Sequence, residues 1–413
     1  MSAFLPHYSL PSTPYSLYIH IPFCKRKCNY CDFVSYAGKE GLIDRYVEAL
    51  GQELESLPST FYAPLSTIFF GGGTPTLLEP RHFDKIISTL IGHWSLDIGH
   101  SEISVESNPG TADRTKLKAL RELGINRLSI GVQSFNDRHL QTLGRVHSAG
   151  QAKQFYRDAR EAGFDNINLD LMFALPGQTL DEWKRDLDTA LTLTTEPPNH
   201  LSVYNLQIEE GTPFWEMVYQ PSPANTKPSP LSQRERVLSA GTFSHWEKVR
   251  VLSGSDEGLK LPSEDEELSM YEHAIETLTA HGYRHYEISN FAKPGFECRH
   301  NLVYWRNENY LGVGAGAHSH WNGQRWSNPN CIEQYLETAK FIRRFPAEAK
   351  PDRRETLFLG LRLLDGISTE HFAGFEKEVK ELTKDGLLTE SNGNYKLTRR
   401  GLFLGNLVFE KFV

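Results

Sequence analysis

Between residues 17 and 207 the chain alternates short β-rich runs with stretches of helical periodicity, and no other feature narrows its fold as much. The runs are 17–22 (LYIHIP), 66–72 (STIFFGG), 102–109 (EISVESNP), 127–134 (RLSIGVQS), 167–177 (INLDLMFALPG) and 200–207 (HLSVYNLQ). Each is rich in β-branched or aromatic residues and ends in polar, Gly or Pro punctuation. Between them, 44–57, 114–124, 149–163 and 179–193 repeat apolar residues at three- and four-residue steps. Six β/α units in succession predict parallel strands joined by right-handed crossovers. The expected fold is α/β, a partial (β/α)6 TIM-type barrel rather than a flat doubly wound sheet.

The regular pattern stops at 220. Residues 221–267 combine a Pro/Ser-rich stretch with a polar, acidic one and read as a flexible insertion, with partner docking as its functional alternative. Residues 268–350 resume with a helix and a strand. From 351 to 413 two helices, a hairpin (LLTESNGNYKLT) and a last helix predict a winged-helix-like α+β module. That module holds ten Lys/Arg and ten Asp/Glu, a balance that argues for packing or docking over DNA reading.

With 413 residues, 39% hydrophobic and 23% charged, the chain has the composition of a soluble globular protein of two or three domains. A net charge of −8 argues against nucleic acid as a partner. No apolar run is long enough for an integral membrane segment, and no basic residue precedes Lys25 as a signal peptide would require. The expected location is the cytoplasm; peripheral membrane contact and a homodimer stay open.

Three of the five cysteines, Cys24, Cys28 and Cys31, follow the first strand in the spacing C-x3-C-x2-C. Thiolates are soft ligands for zinc or an iron–sulfur cluster. Zinc would need a fourth ligand, for which His20 lies near in sequence. A [4Fe–4S] cluster on three thiolates leaves one iron open to a small molecule. In a β/α barrel the site forms at the C-terminal ends of the strands. Those ends carry Cys24, the GGGTPT run 71–76, Glu106, Gln133, Asp170 and Tyr204. Gly71, Gly72 and Gly73 would let backbone N–H groups approach a carboxylate, and Glu106 and Asp170 could accept from an ammonium or ribose hydroxyls.

Taken together, YIHIPFC, GGGTPT, ESNP, GVQSF, LGR and D-LMFALPGQ resemble the radical S-adenosylmethionine (SAM) superfamily. They are most similar to its branch containing oxygen-independent coproporphyrinogen III oxidase. The resemblance runs from about residue 15 to the C-terminus and implies a barrel of the radical SAM type. It further implies that Cys24, Cys28 and Cys31 hold a [4Fe–4S] cluster whose open iron is chelated by SAM. Tyr18, Gly72 and Glu106 match positions that contact this SAM. Tyr30, Gly73, Thr74, Gln133, Arg145 and Asp170 match positions that hold a second SAM in the oxidase. The resemblance names no catalytic side chain. An electron donor is implied, because SAM cleavage consumes an electron.

Two features depart from the oxidase. Its pattern continues with a cysteine two residues after the third, where this chain has Phe33, and it carries a long N-terminal extension where only 23 residues precede Cys24. Porphyrinogen decarboxylation is therefore the alternative rather than the leading expectation. The motif RHNLVYW, with His300, Tyr304 and Trp305, instead matches the H-N-x-x-Y-W signature of haem chaperones related to the oxidase, which bind haem and pass it to acceptor proteins. That resemblance implies His300 as a haem ligand with Tyr304 and Trp305 against the porphyrin. Read from the residues alone, His300 is a structural histidine. Cys298, His318 and His320 are lesser ligand candidates. Cys331 reads as a buried small hydrophobe.

Overall fold

The computed structural model describes residues 15–57, 65–94, 96–218, 259–341 and 352–412. Six parallel strands form the centre of one sheet: β1 (Tyr15–Ile21), β2 (Leu65–Gly72), β3 (Glu102–Ser107), β4 (Arg127–Gln133), β5 (Asn166–Phe173) and β6 (His200–Asn205). Five further strands extend it: β7 (Arg284–Glu287), β8 (Asn290–Ala292), β9 (Tyr310–Val313), β10 (His318–Trp321) and β11 (Gln324–Ser327). The order is 11-10-9-1-2-3-4-5-6-8-7, so the sheet stays open, as a partial barrel does. β9 pairs parallel with β1, a seventh parallel strand beyond the six β/α units that the sequence predicts.

Alternation along the strands sorts the two faces. Leu17, Ile19, Ile21, Ile68, Phe70, Ile103, Val105, Leu128, Ile130, Ile167, Leu169, Leu201 and Val203 are all buried in the main apolar core. The opposite face is also largely buried, yet carries Ser16, Thr67, Ser104, Arg127, Ser129, Asn168, His200 and Ser202. Parallel strands covered on both faces normally read as continuous apolar runs. A polar inner face therefore marks an interior built for ligands or hydrogen-bonded structure.

The helices fall where periodicity placed them: Ile43–Ser56, Arg114–Glu122, Ala149–Glu161 and Leu180–Leu191. Capping boxes start two of them, Ser148 with Gln151 and Thr179 with Glu182. Most of the 221–267 segment lies outside the described residues. Its last four residues are helical, because Ser263 and Glu266 form a capping box that starts the helix Glu264–Ala280 before the expected 268. This helix is tied to Leu180–Leu191 through Trp183 Nε1, which donates to the Met270 carbonyl at 2.8 Å.

In the C-terminal module the expected helices are shorter. The first, Arg353–Gly360, ends where a Cβ on Gly360 would stand 2.4 Å from Ile367. The second is a 3-10 turn, Thr369–Phe372, and a helix, Glu376–Lys384, separated by Gly374 at φ +91°. The hairpin Leu388–Ser391/Asn394–Leu397 gains a third strand, Ile367–Ser368. The module is joined to the barrel by backbone bonds from Ile288 to Arg362 and from Leu364 to Tyr286.

Candidate functional site

The loop that carries the cysteines leaves the C-terminal end of β1. Cys24 is buried, and Cys28 and Cys31 are half-buried. Asn29 anchors the loop: its backbone N–H donates to the Leu143 carbonyl at 3.0 Å, its side chain to Thr142 at 2.9 Å, and its carbonyl accepts from Phe214 at 3.0 Å. Thr74 Oγ1 donates to Cys24 Sγ at 3.6 Å, and Arg145 Nη1 to Cys28 Sγ at 3.5 Å. Asn108 joins these two donors, giving Nδ2–H to Thr74 Oγ1 at 2.9 Å and accepting Arg145 Nη2 at 2.6 Å. The sequence reading quoted Asn108 within ESNP but assigned it no role; its link between two thiol-contacting residues is a three-dimensional property.

Burial raises the Cys24 thiol and pushes that of Cys31 up to about 11. A metal that binds them must therefore displace protons, which couples assembly to pH. Among the described residues, no three His, Cys, Asp or Glu side chains converge closely enough to hold a single metal ion. The three thiols nevertheless lie within electrostatic reach of one another. Three thiolates alone leave a tetrahedral zinc ion one ligand short. Nor is His20 free to complete a zinc site. Its Nε2–H donates to the Val34 carbonyl at 2.8 Å, which leaves Nδ1 to accept the Tyr18 hydroxyl at 2.9 Å.

The strand ends beside the thiols bring together the residues expected to meet SAM. Gly72, at φ +111°, has no room for a Cβ, which would lie 2.4 Å from the His20 ring. Its N–H donates to Glu106 Oε2 at 3.0 Å. Burial, and then the nearby Asp170, push the Glu106 carboxyl up to about 7. Gly73 is equally tight, with the Phe23 carbonyl 2.6 Å from where its Cβ would be. Gln133 ends β4 at φ +67°, at the register shift after Gly131. A non-glycine residue rarely adopts this conformation, so the chain bears strain to aim this side chain. Asp170 accepts from Asn168 at 2.8 Å and Ser129 at 3.3 Å, and burial raises its carboxyl. Tyr30 lies near the Arg145 guanidinium, and burial raises its hydroxyl above the usual range.

The H-N-x-x-Y-W residues enter from the other end of the strands, with the His300 ring 6.4 Å from that of Tyr18. They form the helix Arg299–Trp305, whose first N–H groups, from Arg299 and His300, donate to the Glu102 carboxylate at 3.1 and 3.2 Å. Glu102 begins β3, and Thr67, which meets His300, lies five residues before the end of β2. Five strand residues span about 16 Å, so this helix and the cysteine loop serve opposite ends of the strands. His300 is buried; Nδ1 pairs with Thr67 Oγ1 at 2.6 Å and Nε2 with the Tyr304 hydroxyl at 2.9 Å. Its ring stacks on Phe69 at 5.0 Å, and burial drives its pKa down to about 3. In this conformation neither ring nitrogen is free for iron. Trp305 lies under the Arg362 guanidinium at 4.3 Å, against the C-terminal module.

The lesser candidates separate clearly. Burial pushes the Cys298 thiol up to about 12, and it faces Glu102 at 3.7 Å, which disfavours a thiolate ligand. His318 is exposed, while His320 Nδ1 donates to the Glu308 carbonyl at 2.9 Å. Cys331 is not buried but exposed, because it caps the helix Ile332–Thr338 at the surface, with Sγ 3.3 Å from Glu333.

An open parallel barrel with three cysteines after its first strand and a glycine-rich second strand end defines the radical SAM class of protein. Residues 18–190 match the model of the radical SAM superfamily, and residues 349–404 that of the HemN C-terminal domain. Coproporphyrinogen III oxidase (HemN) from Escherichia coli, a radical SAM enzyme, is similar in structure with a TM-score of 0.73 and 25% identity, over 97% of this chain and 90% of that one. The haem chaperone HemW of Bacillus subtilis (strain 168) is 38% identical over 96% of this chain and 99% of its own length. HemW of Lactococcus lactis (strain IL1403) is 35% identical over 97% of each. The chain belongs to the HemW haem-chaperone family of radical SAM proteins. Membership implies a [4Fe–4S] cluster and SAM.

Proposed function

We propose that this protein binds haem and transfers it to acceptor proteins in the cytoplasm, and that it holds a [4Fe–4S] cluster on Cys24, Cys28 and Cys31 with SAM at the open iron. The observation that carries the reading is the end-to-end likeness to HemW relatives at 38% and 35% identity, against 25% to the oxidase. Phe33, 65% exposed where the oxidase pattern has its further cysteine, supports it. When bound, the cluster supplies an electron for SAM cleavage. The chain's part is to hold and orient: Thr74 and Arg145 steady the thiolates, and Gly72 and Glu106 present a backbone edge and an acceptor to SAM. Tyr18 lines the same wall. A second SAM would be held by Tyr30, Gly73, Thr74, Gln133, Arg145 and Asp170.

Haem is cargo. Ligation by His300, with Tyr304 and Trp305 against the porphyrin, requires a state in which Tyr304 has left Nε2; in the conformation described here His300 pins the barrel interior. The test is titration of the anaerobically reconstituted protein with haem. It should bind about one haem per chain, with a Soret band set by the axial ligand. Absence of saturable haem binding would refute the function. No described helix is long and apolar enough to cross a membrane.

A further inference from the structure

The five residues that follow Cys24 and Cys31 make an unusual surface. Lys25, Arg26 and Lys27 stand exposed in succession between two cysteines, and Asp32 and Phe33 are exposed after the third. The chain as a whole carries a net charge of −8, so this is a cationic spot on an acidic protein. Lys25 Nζ and Lys27 Nζ rest on the backbone carbonyls of Gly110 and Phe33, at 3.0 and 3.2 Å, and not on carboxylates. Among the described residues, no carboxylate pairs with Lys25 or Lys27. Phe33 is 65% exposed, a large aromatic with no core to fill. The loop is nonetheless anchored, through the Asn29 bonds to Thr142, Leu143 and Phe214.

We propose that Lys25, Arg26, Lys27 and Phe33 form the docking surface for a one-electron donor protein with an acidic face. The inference rests on the cluster reading above. Of the three thiols, Cys28 and Cys31 are half-buried while Cys24 is buried, so this loop borders the more exposed side of the thiol group. Cations with no ion pair among the described residues, around an exposed aromatic, match the anatomy of an interface: charges that steer encounter, and an apolar anchor that fixes the pose. Each encounter moves one electron. The donor's cofactor is oxidised by one, the cluster is reduced by one, and no bond forms or breaks in this step.

The test uses the cluster-loaded protein and reduced flavodoxin, an acidic flavin protein, as probe. Cluster bleaching is followed by stopped flow at low ionic strength. The K25E/R26E/K27E variant should be reduced about tenfold more slowly, or worse. The wild-type rate should fall as salt rises, and the variant's should not. Photoreduction with a neutral deazaflavin should proceed equally in both, and Lys85→Glu, at an exposed position of the helix Pro80–Trp94, should behave as wild type. If the triple reversal takes up no iron, the K25Q/R26Q/K27Q variant carries the test, with an expected slowing of about threefold. Equal flavodoxin rates in wild type and variant would overturn the proposal. So would equal slowing with the deazaflavin, which places the effect in the cluster itself. Weakened haem binding with unchanged flavodoxin rates would also overturn it, by assigning the cations to haem carboxylates. A wild-type protein that assembles no cluster fails the underlying reading before any donor is added.

Discussion

Glu53 is a carboxylate sealed in the core, where it accepts Tyr335 Oη at 2.6 Å, Asn328 Nδ2 at 2.7 Å and the Gly314 N–H at 2.9 Å. Burial pushes its pKa from the ordinary 4.5 to about 7, even though those bonds pull the other way. Between these values the folded state holds a proton that the unfolded state has released. Stability should therefore fall as pH rises from about 4.5 to about 7, then level off once both states are ionised. In Glu53→Gln that slope should flatten, as thermal melts across the same range would show. His300 makes a second prediction at this scale. Removing a buried ring with two hydrogen bonds should cost about 2–4 kcal/mol in denaturant unfolding, whatever its role with haem. The Soret band of His300→Ala reads the haem role separately: a shifted, weakened band supports ligation, and an unchanged band assigns the imidazole to the core alone. The sequence could not reveal this state of His300, because Thr67 lies more than two hundred positions away and only folding brings it to Nδ1.

The Gly-rich stretch after β9 explains how distant elements set the cysteine loop. Gly314, at φ +99°, lies where a Cβ would be 2.5 Å from the His20 carbonyl and 2.6 Å from Tyr46 Oη. Tyr46 Oη in turn donates to that carbonyl at 2.8 Å and accepts the Ala315 N–H at 2.8 Å. The segment thus supports the chain just before Cys24. Gly314→Ala should lower the iron recovered per chain after reconstitution while circular dichroism stays near wild type. Gly92→Ala, on a helix with open space around the glycine, is the control and should keep full iron. The strand and helix positions were legible because their signals are local: β-rich runs, three-four periodicity and capping residues. The pairing of β9 beside β1 was not, since four residues, YLGV, carry too little pattern and the partner is almost three hundred residues earlier. The shortened C-terminal helices were also illegible, because Gly360 and Gly374 act through contacts and backbone angles that composition does not record.

Over the whole molecule, two groups of residues are stacked along the strands and meet at Tyr18, whose ring lies 6.4 Å from that of His300. The thiols, Gly72, Glu106 and Asp170 occupy the C-terminal strand ends, and the H-N-x-x-Y-W helix meets β2 and β3 at their starts, against the C-terminal module. That the three thiols and the Gly-rich strand end lie together was readable from motifs, since C-x3-C-x2-C and GGGTPT are contiguous and sit at predicted strand ends. That the haem motif lies at the other end was not, as it depends on the return of the chain beneath the barrel. A cluster reconstituted anaerobically should hold about four irons and four sulfides per chain, and Cys24, Cys28 or Cys31 to Ala should abolish it while Cys298→Ala and Cys331→Ala should not. The most direct test of the central claim, that porphyrin is cargo here and not substrate, is turnover. The cluster-loaded protein, shown to bind haem, is incubated anaerobically with coproporphyrinogen III, SAM and reductant, and protoporphyrinogen IX is measured. The account predicts none above the protein-free control; robust decarboxylation would contradict it and place the protein with the oxidases.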